Sequence, residues 1–353
     1  MADEPSNRAA FEVQAQYCEA MAAPLTARLC RALARVLTRD TAIGTRVLDW
    51  PGEPVADAVV LRLVGGLHAL ARRGDADAFA ATDAELAALL VTHDTALLPW
   101  LDGPPQTNEA QRSAGLMTGL LHVAATLGPR VEVLEIGSSA GLNLLIDRMR
   151  FDLGGVMAGP AGSPLTIAPE WRGPPPPAAP VAIARTRGVD LAPVDVRDPA
   201  QAERLAGYVW IDAAERLARL STAIAMVHDR AVELTQGDAP DWVEARLAEP
   251  QDAGTTRVLM HSVVWQYLPA TARERIRGAM EAAGARATRE HPLAWVMMEP
   301  NRDLHRHEVR VQCWPSDQPM QLVALTHAHG AWVEGLAPPY ETRDYVMRRG
   351  AYE

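Results

Sequence analysis

The sequence contains no lysine, so all 34 of its Lys/Arg positions are arginine. That absence excludes Schiff-base catalysis, a lysine general base and a Walker-type phosphate loop, each of which needs an amine at a defined place. Cysteine is scarce too. Cys18, Cys30 and Cys313 are an odd number at wide spacings with no paired CxxC, which argues against a disulfide framework and a thiolate zinc site and fits a reducing compartment. No stretch reaches the roughly 18 uninterrupted apolar residues that a membrane span needs, and the acidic start MADEPSNRAAFEVQAQYCEAM has no apolar signal core. A cytoplasmic protein without a membrane partner is expected. The net charge of -10 and pI near 5.5 leave no general attraction to phosphate backbones, so nucleic acid is not expected as a partner.

What is present is apolar bulk: 353 residues with 48% hydrophobic content, enough for one large domain with a helical extension. Residues 1–128 read as helix throughout, with apolar side chains recurring at threes and fours in PLTARLCRALARVL and VADAVVLRLVGGLHALARR. The last of these helices, NEAQRSAGLMTGLLHVAATLG, is expected to begin after a capping Thr107, with Glu109 in its first turn, and to stop at Gly128 and Pro129. This region, 1–128, is expected to cover a ligand cleft. From 129 to 353 the texture changes to short β-branched runs separated by helices, the alternation of a parallel sheet. The expected fold is α/β, a doubly wound, mostly parallel Rossmann-like sheet closed by an antiparallel terminal pair, RVQCWP with QLVALTHA. The Gly/Pro-rich segment 151–180 interrupts the alternation and is expected to be an inserted loop or hairpin.

The strongest local signal is VEVLEI running into GSSAG and then an expected amphipathic helix, LNLLIDRM. Such a turn aims backbone N–H groups at a ligand. Gly137 permits the sharp exit from the strand and Gly141 a close backbone approach, with Ser138, Ser139 and Asn143 around them. Glu135, at the strand end, is suited to accept from an ammonium or a hydroxyl. Three chemistries share this pattern. Gly137, Ser139 and Gly141 spell the G-x-S-x-G of a serine hydrolase, but that elbow belongs in mid-sheet after several strands. A nicotinamide or flavin fingerprint needs G-x-G-x-x-G, which Ser139 and Leu142 break. The third is the methyltransferase turn, acidic residue then glycines, with one glycine replaced by Ser139.

The neighbouring strand ends decide among them. Asp190 closes RGVD, where a carboxylate can accept from both ribose hydroxyls, although it lies about 50 residues after Gly141 rather than about 20; a capping role is the plain alternative. Gly237, Asp238 and Ala239 follow the next strand, placing Asp238 to accept from an adenine amino group. HSVVWQYLP brings His261, Ser262, Trp265 and Tyr267 to a fourth strand end, and Glu299 closes a fifth. Trp265 and Tyr267 read equally well as core aromatics. Gln106, Asn108, Glu109 and Arg112, one helix before the turn, either reach over the ligand or open an ordinary capped helix. His305 with His307, and His327 with His329, have the i,i+2 spacing that puts two rings on one face of a strand, but no third ligand is fixed by spacing and no metal is expected.

In this order of features, residues 131–300 resemble the class I S-adenosylmethionine-dependent methyltransferases. EIGSSAGLNLLIDR, RGVDLAPVDVRDP and HSVVWQYL also resemble an uncharacterised bacterial family, domain of unknown function number 2332, along nearly the whole chain. The first resemblance implies S-adenosylmethionine as cofactor. Glu135, Gly137, Ser139 and Gly141 would hold its methionine end, Asp190 its ribose, and Asp238 with Ala239 its adenine. Catalysis would then be positioning in a dry site, with His261, Tyr267 or Glu299 as candidate general base and a small molecule or protein as acceptor. A cofactor-binding or scaffold protein without catalysis, and a hydrolase using Ser139, are the alternatives.

Overall fold

The computed structural model describes residues 3–304 and 306–342. Six helices come first, α1 (Glu4–Ala20), α2 (Pro24–Val36), α3 (Ala42–Leu48), α4 (Val59–Arg73), α5 (Asp83–Thr92) and α6 (Asp94–Leu97). Their ends carry ordinary stop and start chemistry. Thr82 and Glu85 form a reciprocal capping box on α5, and α4 ends at Gly74 with φ +77° after Arg72 and Arg73. Phe11, Leu33, Leu63, Leu67 and Leu86 are buried together as one core.

Helix α7 (Ser113–Leu127) then leads into β1 (Arg130–Ile136). The segment after the turn forms β2 (Arg150–Leu153), β3 (Val156–Ala158), β4 (Thr166–Ile167) and β5 (Glu170–Arg172), followed by β6 (Ala182–Asp190), α8 (Pro199–Gly207) and α9 (Ala214–Asp229). The remainder runs β7 (Leu234–Gln236), α10 (Ala239–Ala248), β8 (Thr256–Ser262), α11 (Ala270–Gly284), β9 (Leu293–Asn301), β10 (Arg306–Trp314), β11 (Gln321–Thr326) and β12 (Trp332–Gly335).

Nine strands make one sheet in the order β5-β12-β11-β10-β9-β8-β1-β6-β7. Strands β7, β6, β1, β8 and β9 are mutually parallel, and β10, β11 and β12 continue antiparallel. The sheet is thus mostly parallel with an antiparallel flank. That flank differs from the expected terminal pair: β12 extends it, and β5, from the Gly/Pro-rich segment, pairs parallel with β12 at the edge. The rest of that segment forms a small sheet, β3-β2-β4. β8 is buried along its whole length and β9 nearly so, as expected of strands covered on both faces. α7 comes close to β9: a methyl group on Gly119 would lie 2.4 Å from a Val296 methyl.

At the opposite end from the turn, Arg257 is buried among β1, β8 and the end of α10. Its guanidinium pairs with Glu132 and donates to the carbonyls of Arg246 (2.9 Å), Glu249 (3.0 Å) and Pro250 (2.9 Å). Arg187 on β6 joins through Glu249 at 2.7 Å. Only a multi-donor fork serves so many acceptors at once.

The chain divides into two compact units, one holding residues through Thr107 with Asp195–Leu220, the other Asn108–Val194 with the chain from Ser221 on. Helix α7 therefore belongs with the sheet, and α8 with the N-terminal helices. Among the described residues no helix is long and apolar enough to cross a membrane.

Candidate functional site

The turn after β1 is built from left-handed backbone. Gly137, Ser139 and Gly141 have φ of +67°, +53° and +72°, so Ser139 adopts the conformation that glycine takes at low cost. Gly137 also needs its missing side chain, because a Cβ there would lie 2.3 Å from Val264. After the turn the expected amphipathic helix is absent. Residues Leu142–Asp147 form a short 3-10 stretch whose first five residues are all buried. LNLLI is buried on every side, so it has no wet face to lay along a helix surface. Without a helix start, the turn lacks the dipole that favours a diphosphate.

Asp190, at the end of β6, holds this turn. One carboxylate oxygen accepts from the Ser139 N–H (2.7 Å) and the other from the Ala192 N–H (2.9 Å). It is thus a brace between loops rather than a helix cap, and two of its four acceptor positions remain for a ligand. Asp238 caps α10, accepting from the Asp241 N–H at 3.3 Å, and is exposed. Gly137, Asp190, Gly237, Asp238, Ala239 and Tyr267 line one cavity of about 450 Å³, within the roughly 300–1,000 Å³ of small-molecule sites. It opens at the C-terminal ends of β1, β6 and β7, beside the place where the chain order reverses across the sheet, with β6 on one side of β1 and β8 on the other.

Two features of this cavity were not read from the sequence. Leu191 lines it, and both Leu191 and Tyr267 are 74% exposed, so two large apolar side chains face water at its rim. Tyr267 is accordingly no core aromatic, whereas Trp265 is. Val264 and Leu268 complete the wall on a loop where Val263 has φ +55°, an outlier for a β-branched residue.

Strand alternation separates the remaining candidates. Glu135 pairs in register with Met260, so Glu135, Met260 and Ser262 share one sheet face. There Asn143 Nδ2 donates to Glu135 Oε1 (2.9 Å) and Ser262 Oγ (3.3 Å). Burial pushes the Glu135 carboxyl up to about 7. Its Oε2 and Asn143 Oδ1 are buried without a hydrogen-bond partner, a costly state unless a donor arrives. Ser138, fully buried, donates to the Glu135 carbonyl at 3.2 Å.

His261 lies on the other face with Glu299, and both are fully buried. Its Nδ1 is 2.6 Å from Glu299 Oε1, and Trp295 Nε1 is 3.0 Å from its Nε2. An indole N–H only donates, so Nε2 accepts and Nδ1 carries the proton. Both ring nitrogens are committed, and Trp265 stacks on the ring at 5.1 Å. Glu299 Oε1 also accepts from the N–H groups of Val264 (3.1 Å) and Trp265 (3.3 Å). The pair therefore holds the cavity-wall loop and stands behind the cavity rather than in it. The sequence placed His261 beside Ser262 in one site; alternation puts them on opposite faces. Trp295, the missing partner, sits mid-strand and gave no local signal.

The start of α7 differs from expectation as well. The helix begins at Ser113, preceded by a 3-10 turn capped by Glu109, whose side chain accepts from the Gln111 N–H. Thr107 and Gln106 fall in the first unit. Asn108 Oδ1 accepts from the Leu142 N–H at 2.8 Å, and Arg112 Nε donates to the Ala328 carbonyl at 2.9 Å. His327 and His329 lie in the loop after β11, not on a strand, and His305 is outside the described residues.

A family model described as "Uncharacterized protein conserved in bacteria (DUF2332)" matches residues 8–334. No curated protein and no solved structure matches the chain.

Proposed function

We propose, for a chain that belongs to the uncharacterised bacterial family DUF2332, that its sheet is a Rossmann-like methyltransferase domain using S-adenosylmethionine on an acceptor yet to be identified. The observation that carries this reading is the cavity at the ends of β1, β6 and β7. It sets two carboxylates, Asp190 and Asp238, between two exposed apolar side chains, Leu191 and Tyr267. A nucleoside needs such a mixture: acceptors for hydroxyl and amino groups, and apolar surface for a flat base. The strand order β7-β6-β1-β8-β9 with β10 antiparallel supports the same reading, as does the absence of a helix start that would suit a diphosphate.

In this assignment Asp190 accepts from the ribose, Asp238 with Ala239 meets the adenine edge, and the turn Gly137–Gly141 receives the amino-acid end. The unpartnered acceptors of Glu135 and Asn143 match the ammonium of that end. When bound, the cofactor supplies an electrophilic methyl group on a sulfonium. The chain's own work is to position and to exclude water. Of the three side chains considered for proton transfer, Tyr267 lines the cavity, while His261 and Glu299 hold each other and the loop.

Calorimetry with S-adenosylmethionine tests the reading: saturable binding is expected, and folded protein giving no heat would sink it. Asp238→Ala should weaken binding roughly tenfold, the value of one charge-assisted hydrogen bond. Saturable binding with no methyl transfer to any acceptor would favour a cofactor-binding protein without catalysis. One observation favours a hydrolase instead, the left-handed Ser139 within G-x-S-x-G. Labelling by a fluorophosphonate, lost in Ser139→Ala, would replace the methyltransferase reading.

A further inference from the structure

Residues 108–112 reach in two directions. Asn108 holds the backbone of the turn at Leu142, and Arg112 holds the loop after β11 at Ala328. Gly330 in that loop packs against the Gln111 carbonyl, which would lie 2.3 Å from an added Cβ. The same loop carries His327 and His329, whose rings are 5.7 Å apart, with the His329 N–H donated to His327 Nδ1 at 3.1 Å. His327 also faces Trp332 at 6.4 Å, and Arg172 covers the Trp332 ring at 4.7 Å. On the adjoining strand His307 pairs in register with Thr326, the residue before His327. Arg112 and three histidines therefore meet at the same end of the sheet as the turn, since β9 and β11 both run toward that end.

We infer that this cluster is a binding site for a small carboxylate-bearing molecule, with Arg112 as the charged anchor and His307 and His327 as neutral donors. Called the acceptor's site, it rests on the methyltransferase reading; as an anion site it does not. The neighbouring charges favour a monoanion over a phosphate. Burial drives the His307 ring down to about 4, with Arg112, His327 and Arg302 adding to the effect, so His307 brings a donor without a charge. A guanidinium has five N–H donors and matches a carboxylate's planar pair of oxygens.

The test follows the histidine ring signals of the full chain by NMR during titration with sodium acetate. Sodium chloride is the control for ionic strength, and inorganic phosphate is a second probe. Saturable shifts of His307 and His327 with acetate are expected, weakened roughly tenfold in Arg112→Gln by loss of a charged hydrogen-bonding partner. His327→Gln, a change in a partly exposed loop, should likewise weaken the shift of His307 and decides the matter if Arg112→Gln does not fold. Shifts that never saturate, that chloride reproduces, or that both variants retain would overturn the site. Tighter binding of phosphate than of acetate would overturn its carboxylate assignment. S-adenosylhomocysteine separates the two readings: if it does not bind while acetate still saturates, the methyltransferase reading falls and the anion site stands. If it binds and acetate does not, the reverse holds.

Discussion

Glu135 shows how burial alone gives a side chain a pH-dependent role. Its carboxyl rises from an ordinary 4.5 to about 7 because the charged form is desolvated. A raised acid is stabilising while protonated. The contribution is complete below about 4.5 and is lost as pH climbs through about 7, a change of about 3 kcal/mol over that window. Glu135→Gln keeps the oxygen that accepts from Asn143 and removes the titration. Urea unfolding at pH 5 and pH 8 should therefore show a smaller loss of stability for the variant than for the parent; equal losses would mean that Glu135 does not titrate in this range. If an ammonium binds beside Glu135, the same proton must leave, so affinity for S-adenosylmethionine should improve as pH rises toward 8. Calorimetry at the two pH values reads that change. The residue type was legible from its place at a strand end; its unusual proton affinity was not, because it comes from complete burial, which the hydrogen bonds of Asn143 and Ser138 only partly offset.

Among the elements, β8 and β9 were readable because nearly continuous apolar runs mark strands covered on both faces, and β1 and β6 because short β-branched runs stand between helical stretches. The elements that escaped were those whose meaning is non-local. β5 and β12 are three and four residues long and become strands by pairing, β12 with β11 and β5 with β12. LNLLID was expected to be helix because it followed a glycine turn, yet its first five side chains are buried all round. Alternation along β8 separates the adjacent His261 and Ser262 in any register; which of them shares a face with Glu135 depends on the pairing with β1. The arginines at the far strand ends give a test of element packing. Arg257→Lys keeps the charge but cannot reach Glu132 and three carbonyls together, leaving buried acceptors unpaired; a loss of about 3 kcal/mol is expected in denaturant unfolding. A loss below about 1 kcal/mol, the scale of a surface pair, would show that the clamp contributes little.

At the scale of the molecule, the sequence suggested helices followed by a sheet, and the contacts divide the chain otherwise. Periodicity identified α8 and α9 as helices without saying which core they join. Residues 195–220 go with the N-terminal helices: the His68 ring nitrogen is 3.2 Å from the Gly207 carbonyl, Asp212 accepts from the backbone of Leu25 and Thr26, and Tyr208 packs where Gly65 leaves room. A fragment covering 108–353 should therefore expose the apolar face around Leu205 and Val209 and aggregate, although it contains the entire sheet. Recovery of that fragment as a folded monomer would show that the partition is unimportant for stability. The excursion also bears on synthesis. On the ribosome the first 107 residues emerge early but lack part of their core until residue 220 has followed, by which point β1 and β6 are already outside the tunnel. Folding of the two units is then interleaved rather than sequential, and exposed apolar surface on the nascent helices must persist until residues 195–220 have emerged.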